Sequence, residues 1–412
     1  MWSWDVEPAR YSFVGRKRSI AAKTTDDEGS PERDAAWIAQ VRSAVAGWTA
    51  GADRDLPWRG EKDAYRVLVS ESMLVQTTVA AVVPYYHRFI QRFPTPRDLA
   101  AADESDVLKH WEGLGYYRRA RQLHAAAQEI VAAHDGIVPE NRDALLALPG
   151  VGKYIAGAIL SFAFDRAEPI VEANTQRILA RLIGLRETIQ SSPARTRLWE
   201  VAERLVPEEN AGSFNQKLMD LGATICIPGA PMCLMCPLSG ACRARELGLQ
   251  DEIPRIAPRA EPTPGAEECA IVIDAQSRVL LIKRRSGGLW DGFWEFPTIH
   301  VSGADPAGRK PTSGGSWTLE QAIEALTGVR ATVGPVFATL KYAVTRYKMT
   351  IAARPARALD SAAAPRPSPA VDRVEWVEAE RLSERTFSSP GRRLADRAAK
   401  TGLDAIALLI NT

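Results

Sequence analysis

The chain has few cysteines and no long apolar segment. It carries 5 cysteines among 412 residues, far below the density of a small disulfide-bonded secreted protein. No apolar run approaches the roughly 18 residues that a membrane-spanning helix needs, and residues 1–5 lack the basic start of a signal peptide. We therefore expect a folded cytoplasmic protein that stays out of the membrane.

An excess of either charge is also missing. The chain has 52 Lys and Arg residues against 50 Asp and Glu residues, a formal net charge of +2. This balance neither requires nor excludes a nucleic-acid partner. Any affinity for DNA must come from the local placement of basic side chains and backbone amides, because bulk charge supplies none.

The remaining composition is that of globular domains, with 46% hydrophobic and 25% charged residues. Apolar residues recur every three or four positions in the first half, which is typical of helices, whereas short runs typical of strands surround one helix in the second half. The sequence predicts an all-α domain followed by an α+β domain. The predicted segments are a disordered arm (1–34), the all-α domain (35–250), a proline-rich linker (251–265) and the α+β domain (266–412), with surface loops at about 302–316 and 354–370.

Most of the cysteines lie in one short window. Cys226, Cys233, Cys236 and Cys242 are separated by six, two and five residues, whereas Cys269 stands alone. Four thiolates close a tetrahedral zinc site or hold a [4Fe–4S] cluster, and the spacing leaves both open. Four small buried apolar side chains are the alternative, but cytosolic cysteines without a metal seldom cluster. The window predicts metal ligation.

A glycine-containing turn, Leu-Pro-Gly-Val-Gly at 148–152, joins two amphipathic helical segments. Gly150 and Gly152 permit positive φ and close backbone approach. Free amides at the start of the second helix then point outward and hold a phosphate. We predict phosphate contacts from Gly150, Gly152 and Lys153, with an ordinary helix–turn–helix corner as the alternative.

This hairpin, followed by the cysteine window, resembles the endonuclease III superfamily of DNA glycosylases, and within it the adenine DNA glycosylases of the MutY type. The resemblance runs from about Trp48 to the C terminus. Its other motifs are Leu-Pro-Trp-Arg at 56–59 and the segments 70–77, 111–124, 214–216 and 288–297. It implies a helix-hairpin-helix glycosylase domain with a [4Fe–4S] cluster on the four cysteines. It also implies a Nudix-like domain that inspects 8-oxoguanine, and a monomer that acts in base-excision repair of double-stranded DNA at the nucleoid.

Cleavage of an N-glycosidic bond calls for two carboxyl groups in different protonation states. Glu71 lies in an apolar helical stretch, where desolvation raises its pKa and favours the acid. The resemblance makes it the group that protonates adenine N7; a surface or capping glutamate is the alternative.

The second carboxylate is Glu172. The family usually has Asp-Gly-Asn where this chain has Glu172-Ala-Asn174. We expect Glu172 to stabilise the cation and help activate the nucleophile, with Asn174 beside it, although its added methylene must be absorbed by the backbone. A purely structural Glu172 is the alternative.

Tyr154 occupies the position where bifunctional relatives carry a Schiff-base lysine. A phenol forms no imine, so the resemblance implies a monofunctional enzyme with Tyr154 in contact with the transition state. Lys153 is one residue away, which on a helix is about 100° of rotation, and we expect it to face phosphate.

The target base must leave the duplex, which requires a pocket and a wedge. By resemblance, Trp58, Arg59, Leu74 and Gln216 line the adenine pocket, although Trp58 and Leu74 also suit a plain core. The residues expected in or beside the base stack, or otherwise at the substrate, are Gln76, Thr77, Leu114 and Tyr116.

The second domain departs from the family at one loop. Its usual Phe-Ser-His is replaced by Val344-Thr345-Arg346, of which Thr345 still offers a hydroxyl to the opposing base. The helix with Glu320 and Glu324 carries too few glutamates for the Mg²⁺ site of a Nudix hydrolase, so nucleotide hydrolysis is not expected.

The leading hypothesis is a monofunctional glycosylase that releases adenine opposite 8-oxoguanine or guanine. Glu172 and Thr345 motivate an alternative with the same fold and chemistry but another target base or opposing lesion. A non-catalytic lesion-binding protein and a bifunctional lyase acting through Lys153 are the other readings.

Overall fold

The computed structural model describes residues 34–49, 56–258, 260–285, 289–308, 317–359 and 364–411. Residues 1–33 of the predicted arm and residues 309–316 and 360–363 of the predicted loops lie outside this part of the chain. Among the described residues, no helix combines the length and the apolar character needed to cross a bilayer.

The first half of the described chain is helical. Its helices are α1 Ala35–Ala46, α2 Ala64–Leu74, α3 Val79–Arg92, α4 Pro96–Ala100, α5 Glu104–Trp111, α6 Arg118–Ala133, α7 Arg142–Ala147, α8 Lys153–Phe164, α9 Ala173–Leu182, α10 Ser192–Leu205, α11 Ala211–Thr224 and α12 Arg243–Glu246. Two apolar cores hold them together. One packs α2 to α8, and the other packs α1 with α9, α10, α11 and the start of the cysteine segment. The helices α7 and α8 and the turn between them form the hairpin that the sequence predicts.

An N-cap and a close contact between two helices position the helices that carry the candidate site. Asp63 begins α2 by accepting from the amides of Tyr65 and Arg66, a common N-cap. Helices α9 and α11 approach so closely that a Cβ on Gly222 would lie 2.7 Å from the Cβ of Asn174. The absence of a side chain at Gly222 therefore lets these two helices meet.

The second half is a mixed sheet covered by helices on both faces. Its elements are β1 Thr263–Ile273, β2 Arg278–Arg284, β3 Trp294–Glu295, β4 Thr298–Gly303, α13 Leu319–Thr327, β5 Ala331–Val333, β6 Ala338–Val344, β7 Tyr347–Ala358, β8 Val371–Glu378, α14 Ser389–Thr401 and α15 Leu403–Leu408. The strand order is β3-β2-β1-β7-β5, with β4 on β1, β6 on β7 and β8 on β2. Helices α14 and α15 pack on one face and α13 on the other.

Two predicted boundaries are wrong. Strand β1 begins at Thr263, inside the predicted linker, and strand β7 continues to Ala358, inside a predicted loop. The reason is long-range: β1 and β7 pair in parallel from Thr263 opposite Tyr347 to Ile273 opposite Arg357. Ile253, at the start of the predicted linker, is 2% exposed and belongs to the helical core.

Candidate active site

A cavity of about 590 Å³ opens between α2, α8, α9 and α11. It brings together most of the predicted catalytic and base-binding residues, which are separated by up to 158 positions in the chain. The predicted residues that line it are Trp58, Arg59, Glu71, Leu74, Gln76, Thr77, Tyr154, Glu172, Asn174 and Gln216.

Glu71 lies on α2 and is only 2% exposed. The hydroxyl of Tyr154, on α8, donates a hydrogen bond to its Oε2. Burial raises the pKa of Glu71 to about 7; the hydrogen bond from Tyr154 lowers this pKa and the nearby charge of Glu172 raises it. The carboxyl group is therefore divided between acid and carboxylate near neutral pH.

Tyr154 itself keeps its proton. Burial raises the pKa of its phenol well above the usual value, and the neighbouring carboxyl group of Glu71 raises it further. A neutral phenol is the donor in this pair, so Tyr154 orients Glu71 and presents its oxygen to the cavity.

Glu172 both caps a helix and lines the cavity. Its Oε1 accepts from the amide of Thr175 at 2.8 Å and its Oε2 from the amide of Asn174 at 2.9 Å, while its own amide donates to the Thr175 hydroxyl at 2.8 Å. Burial raises the pKa of Glu172, and the two amide hydrogen bonds lower it. The structural role given as the alternative for Glu172 is present in the form of this N-cap, and Glu172 also lines the cavity together with Glu71.

Two side chains at the site are absent from the sequence-based predictions. Asp220 is 3% exposed, and both of its carboxylate oxygens accept hydrogen bonds from Arg59 Nη2, at 2.5 and 2.6 Å. It follows Gln216 by four positions on α11, a spacing that puts both on one helix face and was the available signal.

The other is Arg177. Its Nη2 donates to Asn174 Oδ1 at 2.9 Å and to the carbonyl of Gly222 at 2.7 Å, and its Nε donates to the carbonyl of Cys226 at 2.6 Å. Its position three residues after Asn174 on α9 is only a weak indication, in the sequence, that the two side chains are in contact. This guanidinium fixes the Asn174 amide and ties it to the cysteine segment.

The other predicted site residues lie outside the cavity. Leu114 is 7% exposed in the helical core, whereas Tyr116 is 53% exposed in a left-handed backbone conformation. Thr345 is exposed in the turn between β6 and β7. The remaining three, at the turn before α8, are exposed: Gly150, Gly152 and Lys153.

The four clustered cysteines line a single second cavity. Arg181 and Arg245 line it too, and Arg181 Nη1 lies 3.2 Å from Cys226 Sγ. Four thiols on one cavity beside two guanidinium groups form a donor set that suits a thiolate-bound anionic cluster. In the part of the chain that the structure describes, no three or more Cys, His, Asp or Glu side chains are grouped closely enough to hold a single metal ion. Cys269 is buried in β1, in the other domain.

Comparisons with known proteins match two separate parts of the chain. Residues 69–204 match the profile of the HhH-GPD superfamily of base excision DNA repair proteins, and residues 268–397 match that of the NUDIX domain. The chain is 43% identical over 203 residues to the adenine DNA glycosylase of Mycolicibacterium smegmatis, covering 49% of this chain and 68% of that protein. It is 36% identical over 244 residues to the adenine DNA glycosylase of Buchnera aphidicola from Acyrthosiphon pisum, covering 59% of this chain and 69% of that protein. The chain belongs to the adenine DNA glycosylase family.

The adenine DNA glycosylase of Homo sapiens is 33% identical over 331 residues, covering 68% of this chain. The matched region spans 61% of the length of that human family member. The predicted fold class is confirmed, since a helical HhH-GPD domain precedes a Nudix domain with a mixed sheet, as expected for this adenine DNA glycosylase family member.

Proposed function

We propose that the chain is a monofunctional base-excision-repair glycosylase that hydrolyses the N-glycosidic bond of adenine in double-stranded chromosomal DNA. The observation that carries the proposal is the buried Glu71, held by Tyr154 at a cavity that Glu172 also lines. A buried acid beside a second carboxylate is the arrangement that glycosidic cleavage requires.

The proposed reaction begins when adenine rotates out of the duplex into the cavity. The Glu71 carboxyl transfers its proton to adenine N7 while the C1′–N9 bond breaks and its electron pair leaves with the base. The carboxylate of Glu172 stabilises the positive charge that develops on the sugar. Water then adds to C1′ and gives up a proton to a carboxylate. Asn174 contributes the rigid edge beside Glu172, because Arg177 holds its amide.

Binding of the base and duplex follows from the same placement. We assign Trp58, Arg59, Leu74 and Gln216 to the walls of the adenine pocket. We assign Gln76, Thr77, Tyr116 and the buried Leu114 to the side on which the duplex is opened. The amides after Gly150 and Gly152, with Lys153, supply the phosphate contact at the start of α8.

The proposal also specifies the base that lies opposite the target adenine. We infer recognition of 8-oxoguanine or guanine through the exposed turn at Thr345. Single-turnover assays on duplexes with adenine opposite 8-oxoguanine, guanine or cytosine, and on thymine or uracil mismatches, test this choice. Fastest release of adenine opposite 8-oxoguanine or guanine supports it, whereas release of another base favours the alternative target, and no release from any duplex favours a lesion-binding protein.

The pH dependence of excision follows from Glu71. Its pKa of about 7 means that the acid form is lost as pH rises above that value, so the excision rate is expected to fall about tenfold per pH unit on the alkaline side. Single-turnover rates from about pH 6 to about pH 9 measure this decline. In Tyr154→Phe, the hydrogen bond that lowers the Glu71 pKa is gone, so the decline moves to higher pH. A flat profile contradicts Glu71 as the acid.

We also propose that Cys226, Cys233, Cys236 and Cys242 bind a [4Fe–4S] cluster. The four cysteines would hold such a cluster in the segment after α11, beside Arg181 and Arg245. The purified protein is expected to be brown and to absorb light at about 400 nm.

Cys236→Ser tests the ligand assignment. It is expected to lose this absorption and to melt at a lower temperature, because one of the four thiolates is removed. Cys269→Ser is the matched control and keeps the colour, because Cys269 lies in the other domain. A colourless protein that contains zinc would overturn the cluster assignment.

A further inference from the structure

The turn between α5 and α6, residues 113–116, carries Tyr116 at its exposed tip. We call it the wedge turn. Contacts from within the helical domain fix its shape: Trp111 Nε1 donates to the carbonyl of Gly115 at 3.1 Å, and the amide of Gly113 donates to the hydroxyl of Tyr117 at 3.2 Å. Both glycines have positive φ, +100° and +75°. The turn is a rigid loop whose position depends on the two residues that flank it.

The residue before the wedge turn is held by the C-terminal domain. Glu112 Oε1 lies 2.6 Å from Nε of Arg392 on α14, and its Oε2 lies 3.4 Å from Nη2 of the same guanidinium. The Glu112 side chain is only 9% exposed. Lys109 completes the contact, since its Nζ lies 3.2 Å from Glu112 and donates to the carbonyl of Ser383 at 2.6 Å. Two hydrogen bonds from one guanidinium to one carboxylate fix the orientation of the Glu112 side chain as well as its distance from Arg392.

The residue after the wedge turn is held by the same domain. The centroid of the Tyr117 ring lies 4.5 Å from that of the Phe293 ring, edge to face, and the side chain of Ser389, at the start of α14, is close enough to lower the pKa of the Tyr117 phenol. Phe293 is 1% exposed and belongs to the core of the helical domain although it comes from the other half of the chain. Four positions farther along α6, Arg121 donates to the carbonyl of Asp291.

We propose that Glu112 and Arg392 are positioning residues through which the C-terminal domain sets how far Tyr116 enters the duplex. The inference rests on the proposed function, because it takes the wedge turn to be the element that opens the base stack. It assigns the C-terminal domain a second task besides contact with the opposing base. Its chemistry is an ion pair across the domain boundary, one residue away from the turn that it positions.

The test compares Arg392→Gln, Tyr116→Ala and the double variant in single-turnover excision at saturating protein, together with the fluorescence of 2-aminopurine placed beside the mispair as a measure of unstacking. Loss of the pair is expected to slow excision about tenfold, since a misplacement of about 1 Å costs that much or more, and to reduce the 2-aminopurine signal. Because Arg392 acts through Tyr116, the double variant is expected to be no slower than Tyr116→Ala.

Two controls keep the test decisive. Glu384→Gln removes an exposed ion pair with Arg381 in the C-terminal domain and is expected to leave rate and fluorescence unchanged. Glu112→Gln removes the proposed pair from the other side, and serves as the test if Arg392→Gln melts below the assay temperature.

The outcomes separate the two proposals. A parent protein that releases no adenine contradicts the proposed function. A parent that releases adenine, with Arg392→Gln and Glu112→Gln as fast as the parent, or with losses that multiply those of Tyr116→Ala, overturns the inference alone.

Discussion

Glu71→Gln is expected to abolish adenine release while DNA binding is retained. Glutamine has the shape of glutamic acid and still accepts the hydrogen bond from Tyr154, but it has no acidic proton to give to adenine N7. General acid catalysis contributes about 100-fold to 10,000-fold, and Glu71 is the carboxyl group at the cavity that Tyr154 holds by a hydrogen bond. The expected loss in single-turnover rate is about 1,000-fold.

The matched control is Glu140→Gln, which removes an exposed partner of Arg166 and changes neither rate nor binding. Titration of a duplex containing adenine opposite 8-oxoguanine measures the retained affinity. A Glu71→Gln protein that excises adenine within tenfold of the parent refutes the acid role. A parent protein that releases no adenine would favour the lesion-binding hypothesis instead.

The second large effect is expected at Glu172, where a capping role and a chemical role share one side chain. Asparagine is among the best N-cap residues, so Glu172→Asn keeps the start of α9 while it removes the negative charge. We expect excision to fall about 100-fold or more, because stabilisation of the developing cation is lost. Thermal melting is expected to stay close to that of the parent.

Two further variants divide the roles. Glu172→Asp keeps the charge and the cap, and is expected to stay within about tenfold of the parent rate. Glu172→Ala loses both, and about 1 kcal/mol of stability with the cap. If Glu172→Asn excises adenine as fast as the parent, Glu172 is a structural residue and the cation needs another partner.

The parts of the site that the sequence could predict are those that depend on neighbouring residues in the chain. The apolar surroundings of Glu71 predict its burial, and the structure confirms it at 2% exposure. The hairpin before Lys153 is also confirmed, since α7 and α8 flank the turn. Periodicity and turn residues act over a few positions, so they carry this information.

What the sequence could not predict depends on distant segments. The pairing of Arg59 with Asp220 joins residues 161 positions apart, and that of Glu112 with Arg392 joins residues 280 positions apart. The extension of β7 into a predicted loop likewise depends on its pairing with β1. The N-cap role of Glu172 is a local exception, because the sequence around it is compatible with an N-cap as well as with the proposed catalytic role.

The close meeting of α9 and α11 makes position 222 sensitive to substitution. Gly222 is neither one of the proposed catalytic carboxylates nor one of the proposed cysteine ligands, and its replacement by alanine adds only a methyl group. The added methyl group would press on the Cβ of Asn174, 2.7 Å away, while the carbonyl of Gly222 also anchors Arg177. A substitution at Gly222 would therefore displace Asn174 and Arg177 together, although Gly222 itself has no side chain that could act at the cavity.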